Sequence, residues 1–176
     1  MPSFSLHPFK PVPFPLSITG TVATGALLRM TYQIQGDLTS LSFPPPKTPR
    51  GDRCADADRL WETTCLEAFI AIPGDDSYWE INCSPSGAWQ VYRFTGYRTA
   101  MAVETQISDL ASEIHHHSTQ FNLTIAMDLS PLGLANQPLE LGITAVIATR
   151  AGELSYWALH HPGPAADFHD RRGFRL

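Results

Sequence analysis

Residues 63–83 read TTCLEAFIAIPGDDSYWEINC, with two largely apolar runs on either side of a Pro-Gly-Asp-Asp-Ser segment. Tight turns favour proline, glycine and aspartate, so this segment predicts a hairpin between two antiparallel strands, residues 63–72 and 78–83. Successive side chains of a strand point to opposite faces of the sheet. We therefore expect the hairpin to present one apolar face and one face that carries its polar residues.

Other parts of the chain show the same alternation. In residues 27–35 the apolar side chains Leu28, Met30, Tyr32 and Ile34 alternate with polar ones, which is typical of a strand with one face in water. Further strands are predicted at residues 16–22, 38–43, 88–97, 121–129, 139–149 and 154–160. Residues 44–58 predict a long surface loop, and residues 101–118 predict an irregular segment with one short strand.

The composition also favours short strands over long helices. The chain has 15 prolines and 12 glycines, and only 16% of its residues are charged. Together with the strand pattern, this predicts an all-β fold, an antiparallel β-sandwich with little helix. At 176 residues and 43% hydrophobic, we expect one domain over residues 1–176, with a proline-rich N-terminal arm at about residues 1–15.

Charge and cysteine content exclude several classes of partner. The formal net charge of −5 argues against nucleic acid, since phosphate binding needs clustered Lys and Arg. No apolar run reaches the roughly 20 residues of a membrane span, and residues 1–15 do not read as a signal peptide. Cys54, Cys65 and Cys83 lack CxxC spacing, so we expect free thiols, no metal site and a soluble cytoplasmic protein. The sequence does not indicate a cofactor or an oligomeric state.

The polar face of the predicted hairpin is where chemistry is expected. Alternation places Glu67 on one face of the first strand, and Glu80 and Asn82 on one face of the second. The next strand brings either Tyr92 or Arg93 beside them, depending on register. If these sets coincide, the face is either solvated, with Arg29, Arg93 or Arg98 pairing the glutamates, or it is a shallow ligand site. In a ligand site, the carboxylates and the amide would hydrogen-bond sugar hydroxyls.

Tryptophans and the C-terminal histidines complete the candidate site. Trp61 and Trp89 lie near predicted loops and are expected to be exposed for stacking, whereas Trp79 and Trp157 are expected in the core. The segment with His160, His161, Asp167, Phe168 and His169 is interpreted either as a metal-ligand or acid-base set, or as a tail in which Asp167 caps a turn and Phe168 covers the core edge. The predicted ligand-binding residues are Trp61, Glu67, Glu80, Asn82, Trp89, Tyr92, Arg93 and His160. The adjacent histidines His115, His116 and His117 are expected in a solvated loop.

Several blocks of the sequence resemble one protein group. These are LWETTCLEAF at 60–69, YWEIN at 78–82, SPSGAW at 84–89, YRF at 92–94, GYR at 96–98, SYWALHHP at 155–162 and DFH at 167–169. Taken together they resemble the bacterial DOMON-like domain proteins over most of the chain. The resemblance implies a β-sandwich related to DOMON domains and family-nine carbohydrate-binding modules, which bind sugars or haem on a sheet face.

The leading hypothesis is a noncatalytic domain that binds a carbohydrate or a similar polyhydroxylated small molecule. The resemblance leaves open a haem-binding domain, although Met30, Met101 and Met127 match no axial-ligand motif. A calcium site is a weaker implication, for which only Asp52, Asp56 and Asp58, or Asp75 and Asp76, are available. The alternatives are a protein-interaction module that uses residues 8–15 or a strand edge, and a glycoside hydrolase with Glu67 and Glu80 as paired carboxylates.

Overall fold

The computed structural model describes residues 1–45 and 58–176. In this part of the chain the regular structure consists of short 3-10 turns and eleven strands: β1 Ser3–Pro8, β2 Leu16–Ala23, β3 Leu27–Gly36, β4 Cys65–Ala71, β5 Tyr78–Cys83, β6 Trp89–Phe94, β7 Ala102–Val103, β8 Ala111–His116, β9 Gln120–Asp128, β10 Glu140–Ala148 and β11 Leu154–Ala158. All strand pairs are antiparallel. The predicted all-β class is confirmed.

The strands form one curled sheet in the order β7-β6-β5-β4-β10-β11-β1-β2-β3-β9-β8. We call β2, β3, β9 and β8 half A, and β7, β6, β5, β4, β10 and β11 half B. Strand β1 joins the halves, because residues 3–6 pair with β2 and residues 7–8 pair with β11. The two halves pack face to face, so that the Tyr32 hydroxyl of half A donates a hydrogen bond to the Glu67 carbonyl oxygen of half B.

The main core lies between the two halves. Half A contributes the alternating side chains that the sequence marked as apolar, among them Ile18, Tyr32 and Ile34, and half B contributes Ile70 and Ile81. Each such side chain adds about 1.5–3 kcal/mol to stability by leaving water. This burial holds half B in place and leaves its other face available for a second set of contacts.

The outer faces of the two halves differ. Half A exposes residues such as Arg29 on its outer face, whereas β4 and β5 are buried along their whole length. The C-terminal segment, residues 166–174, covers part of the outer face of half B: Phe174 lies over Gly142, where a Cβ atom would come within 2.7 Å of its ring. Only glycine at this position of β10 lets the segment lie so close to the sheet.

Two local predictions, for residues 38–43 and 101–118, are wrong for identifiable reasons. Residues 38–43 form a 3-10 turn at Leu38–Ser40 and a single bridge, because Asp37 accepts a hydrogen bond from the Thr39 amide and starts a turn. Residues 101–118 hold two strands, β7 and β8, so His115 and His116 lie in a strand and not in a loop. The proline-rich arm contains β1, whose Phe4 and Leu6 reach the core. Residues 46–57 of the predicted long loop lie outside the described residues.

The described residues hold neither a membrane-spanning helix nor a cluster of metal-ligating side chains. Residues 1–45 and 58–176 contain no helix with the length and apolar content needed to cross a membrane. The same residues contain no cluster of three or more His, Cys, Asp or Glu side chains arranged to hold a metal ion.

Candidate functional site

The outer face of half B brings the predicted polar residues together. The β4–β5 register pairs Glu67 with Asn82 and Phe69 with Glu80, so the two glutamates are diagonal neighbours on one face. Glu80 also pairs with Tyr92 of β6. On the other side of β4, Glu67 pairs with Thr144 of β10. The side chains of diagonal neighbours on adjacent strands lie within contact range.

Hydrogen bonds tie these side chains into a buried set. The Asn82 amide nitrogen donates to Glu80 Oε1 at 2.8 Å, and the Thr144 hydroxyl donates to Glu67 Oε2 at 3.1 Å. Glu67 and Glu80 are only 2% and 5% exposed. No residue that the structure describes forms a hydrogen bond to Glu67 Oε1. A buried polar atom without a partner costs about 1–3 kcal/mol, so it marks a position where a ligand atom would be stabilised.

Burial changes the ionisation of both carboxyls. The loss of solvation raises the pKa of Glu67 well above its ordinary value, and the neighbouring Glu80 raises it further. Burial also raises the pKa of Glu80 to about 7, although the Asn82 hydrogen bond and Arg98 act against this change. Burial therefore favours the neutral form of Glu67, a carboxylic acid that can donate a hydrogen bond.

The C-terminal segment is fastened over this face through Asp167. The Tyr97 hydroxyl donates to Asp167 Oδ2 at 2.6 Å, and the Arg98 guanidinium donates to Asp167 Oδ1 at 2.8 Å. The backbone amide of His169 donates to the same carboxylate at 3.2 Å. These bonds lower the pKa of Asp167, so the carboxylate stays ionised and fixes the segment beside half B.

This attachment places His169 next to Glu80. The His169 Nδ1 atom lies 2.7 Å from the Tyr78 hydroxyl, and Nε2 lies 3.8 Å from Glu80 Oε2. Burial lowers the pKa of His169 to about 4, with Arg98 adding to the effect. The imidazole is therefore neutral at pH 7 and does not form an ion pair with Glu80. The Tyr78 hydroxyl accepts the Arg98 amide proton and can donate its own to Nδ1, which leaves a proton on Nε2 toward Glu80.

The glutamates and His169 lie in an open cleft of about 650 Å³. Its polar side chains are accompanied by a larger number of aromatic and aliphatic ones. The lining residues are Trp61, Glu62, Glu67, Phe69, Glu80, Phe94, Arg98, Met101, Val146, Leu154, Tyr156, Ala166, Phe168 and His169. Tyr156 is 39% exposed and packs edge to face against Phe168. The cleft thus combines buried hydrogen-bonding groups with partly exposed aromatic rings.

The predicted site residues divide between this cleft and other places. Trp61, Glu67 and Glu80 line the cleft, while Asn82 and Tyr92 lie just behind it through contacts with Glu80 and Trp61.

The remaining predicted residues lie elsewhere. Trp89 is 1% exposed in the main core, so its expected exposure is wrong: its pairing with Cys83 directs it to the inner face of half B. Arg93 pairs with Trp79 and therefore belongs to the opposite side of β6 from Tyr92. His160 is exposed and is not among the residues that line the cleft. Arg98 pairs with Asp167 and with neither glutamate.

Sequence reasoning did not assign Tyr156, Phe168 or His169 to the site. Tyr156 gave no distinct signal, because it is the outward residue of an ordinary alternating strand. The Asp-Phe-His motif at 167–169 did give one, and its interpretation as a locally hydrogen-bonded tail is correct for Asp167. What the sequence could not provide was the position of that tail above β4 and β5.

Comparisons with known proteins give the fold. The sequence matches no protein-family model and no curated protein. The structure is similar to that of a "putative carbohydrate-binding protein" from Bacteroides uniformis, with a TM-score of 0.61, 15% identity, and coverage of 97% of this chain and 84% of that one. It also matches a family 9 carbohydrate-binding module from Caldicellulosiruptor kristjanssonii, solved with glucose, with a TM-score of 0.44, 9% identity, and coverage of 83% and 68%. At this identity, the first similarity shows a shared fold.

Proposed function

We propose that the protein is a noncatalytic domain that binds a carbohydrate or a similar polyhydroxylated small molecule in the cleft of half B. The observation that carries this proposal is the buried Glu67 and Glu80 pair, with Glu67 Oε1 free of any described partner, inside a cleft lined by aromatic rings. The Bacteroides uniformis protein of similar fold bears a name in keeping with this proposal.

The chemistry of the lining suits sugar hydroxyls. A hydroxyl both donates and accepts, and the cleft offers both functions: the neutral carboxyl of Glu67 can donate, and Glu67 Oε1 and Glu80 Oε2 can accept. The apolar faces of a sugar ring pack on aromatic side chains, which Trp61, Tyr156 and Phe168 supply. A volume of about 650 Å³ falls within the range of pockets that bind small molecules, roughly 300–1,000 Å³.

Binding is favoured over glycoside hydrolysis by the surroundings of the two acids. A hydrolase needs one carboxylate ready to attack or to activate water, and such a group is stabilised in its ionised form by polar neighbours. Here burial favours the neutral form of both Glu67 and Glu80. The hydrolase interpretation stays a prediction, and product formation from the glycans that bind would support it.

The cleft fits haem poorly. Met101 and His169 both line it, and these residue types can serve as axial ligands. However, His169 Nδ1 contacts the Tyr78 hydroxyl and Nε2 faces Glu80, so neither nitrogen is available without rearrangement. The relation to DOMON domains, the protein-interaction alternative and the cytoplasmic location all stay predictions.

A glycan panel tests the proposed function. Thermal unfolding and tryptophan fluorescence would be measured for the full chain against neutral, acidic and amino sugars. A ligand present at about 100 times its Kd stabilises the folded state by about 2.7 kcal/mol, or roughly 5–10 °C in Tm for a chain of this size. The proposal fails if no glycan in the panel shifts Tm or fluorescence.

Two tryptophan variants make the panel specific to the cleft. Trp61→Ala should leave Tm within about 2 °C of wild type and weaken binding at least roughly tenfold, because Trp61 lines the cleft and is only partly buried. Trp89→Ala should cost about 3–5 kcal/mol of stability, because it empties part of the core. If both variants lose only stability, the cleft is not the binding site.

A further inference from the structure

We propose that the cleft prefers ligands that carry a protonated amine, such as a sugar with a free amino group, and that the ammonium binds against Glu67 Oε1. This inference rests on the proposed function and names the ligand class of the same site. Two acidic side chains, Glu67 and Glu80, lie together at the base of the cleft, and no described cation contacts Glu67.

None of the titratable groups around Glu67 places a positive charge in contact with it. They are Cys65 on the same strand, Glu80, Cys83, Tyr78 and Tyr92 on the neighbouring strands, Tyr32 from half A, His169 from the C-terminal segment and Arg98 from the turn after β6. The positive charge of Arg98 is directed to Asp167, and His169 is neutral at pH 7. An ionised Glu67 carboxylate would therefore have no contacting cation among the described residues.

An ammonium group supplies the hydrogen-bond donor and the positive charge that the described residues do not offer to Glu67 Oε1. It has three N–H donors and a positive charge, whereas a sugar hydroxyl offers one donor and no charge. Hydrogen bonds between charged groups are roughly twice as strong as neutral ones, and the aromatic lining from Trp61, Tyr156 and Phe168 also favours a cation. The gain from exchanging a hydroxyl for an ammonium should be about tenfold in affinity or more.

Binding an ammonium also requires a proton to leave. In the free protein, burial and the neighbouring Glu80 raise the pKa of the Glu67 carboxyl and so favour its protonated form. When the ammonium binds, the carboxyl ionises and its proton passes to the buffer, while the ammonium keeps its own three protons. We expect a net release of protons when the amine binds, and none when a neutral sugar binds.

A matched series of sugars separates charge from shape. Glucose, N-acetylglucosamine and glucosamine share one ring and carry a hydroxyl, a neutral acetamide and an amine at the same carbon. Isothermal titration calorimetry of the full chain at pH 7, in phosphate and in Tris, gives both affinity and proton release. We expect glucosamine to bind at least about tenfold more tightly than the other two, with proton release for glucosamine alone.

A conservative variant assigns the effect to one carboxyl. Glu67→Gln keeps the size of the side chain and removes its ability to ionise, so it should abolish both the preference for glucosamine over glucose and the proton release. Glu113→Gln, at an exposed site on β8, is the control and should behave as wild type. The wild-type proton measurement does not depend on the folding of either variant.

The outcomes distinguish this inference from the proposed function. Equal affinities for the three sugars, or a preference that survives Glu67→Gln, overturn the amine preference and leave carbohydrate binding standing. An absence of binding to all three also overturns the amine preference, and the glycan panel then decides separately whether the proposed function fails.

Discussion

Because the side chain of Glu67 is buried and lies next to Glu80, the folded protein favours the neutral form of this acid. The same holds for Glu80, whose pKa rises to about 7. In the unfolded chain both acids ionise near their ordinary value of 4.5. Single side chains at this face thus link the stability of the whole protein to pH.

The raised pKa of Glu80 should make the folded protein less stable as pH rises. A carboxyl with a raised native pKa binds its proton more tightly in the folded state, so its contribution to stability is present at low pH and is lost as pH rises from about 4.5 to about 7 for Glu80. Glu80→Gln should remove this loss, and Tm at pH 8 should exceed that of wild type by about 2–4 °C for each kcal/mol recovered. Thermal unfolding from pH 4.5 to pH 8 measures it. Parallel pH curves for the two proteins would show that Glu80 is not the titrating group.

At the scale of the element, the C-terminal segment determines how His169 faces the cleft. Arg98 holds Asp167, and Asp167 in turn holds the backbone of His169. Arg98 itself is at a positive φ of 51° in the short turn after β6, and its amide donates to the Tyr78 hydroxyl. The turn and the tail therefore support each other, although 69 residues separate Arg98 from Asp167 in sequence.

Loss of the contact between Arg98 and Asp167 should change the pKa of His169. Arg98→Ala removes a positive charge that lowers the pKa of His169 and loosens the cover that buries it, and both changes act in the same direction. We expect the pKa of His169 to rise from about 4 toward its ordinary value of 6.5, as measured by NMR titration of the imidazole. The exposed variant Arg29→Ala on half A is the control. An unchanged His169 titration in Arg98→Ala would mean that other contacts, such as Tyr97 with Asp167 and Phe174 over Gly142, hold the segment without Arg98.

The hairpin and this tail show what sequence could provide. The strand β5, Tyr78–Cys83, was predicted at its observed bounds, and β4 to within two residues, because alternation and turn residues are local signals. The grouping of Glu67, Glu80 and Asn82 followed from the same alternation. The tail escaped prediction because its position depends on contacts with β4, β5 and β10, which no local pattern encodes. Trp89 failed because its side of the sheet depends on its register with Cys83.

At the scale of the whole molecule, β1 is the element that makes one sheet from two halves. It pairs with β2 along residues 3–6 and with β11 along residues 7–8. Phe4 and Leu6 from this strand are also part of the main core. Without β1, the edges of β2 and β11 would be left unpaired, and unpaired edges promote association between chains.

Deletion of residues 2–8 tests this role. The loss of two core side chains should cost about 3–6 kcal/mol, or at least roughly 6 °C in Tm, before any loss of strand pairing is counted. Size-exclusion chromatography should show aggregates from the exposed edges. Ser5→Ala, at an exposed position of the same strand, should leave both measurements unchanged. A deletion variant that is monomeric and as stable as wild type would show that β1 is dispensable.

The placement of β1 also has a kinetic consequence. Its two partners lie very far apart along the chain: β2 follows within about ten residues, whereas β11 lies roughly 150 residues away. Joining such distant segments carries a large loop-closure entropy, and proteins dominated by contacts of this kind fold slowly. The cleft needs β4, β5 and the tail that follows β11. We therefore expect the ability to bind ligand to be among the last properties that a refolding chain regains.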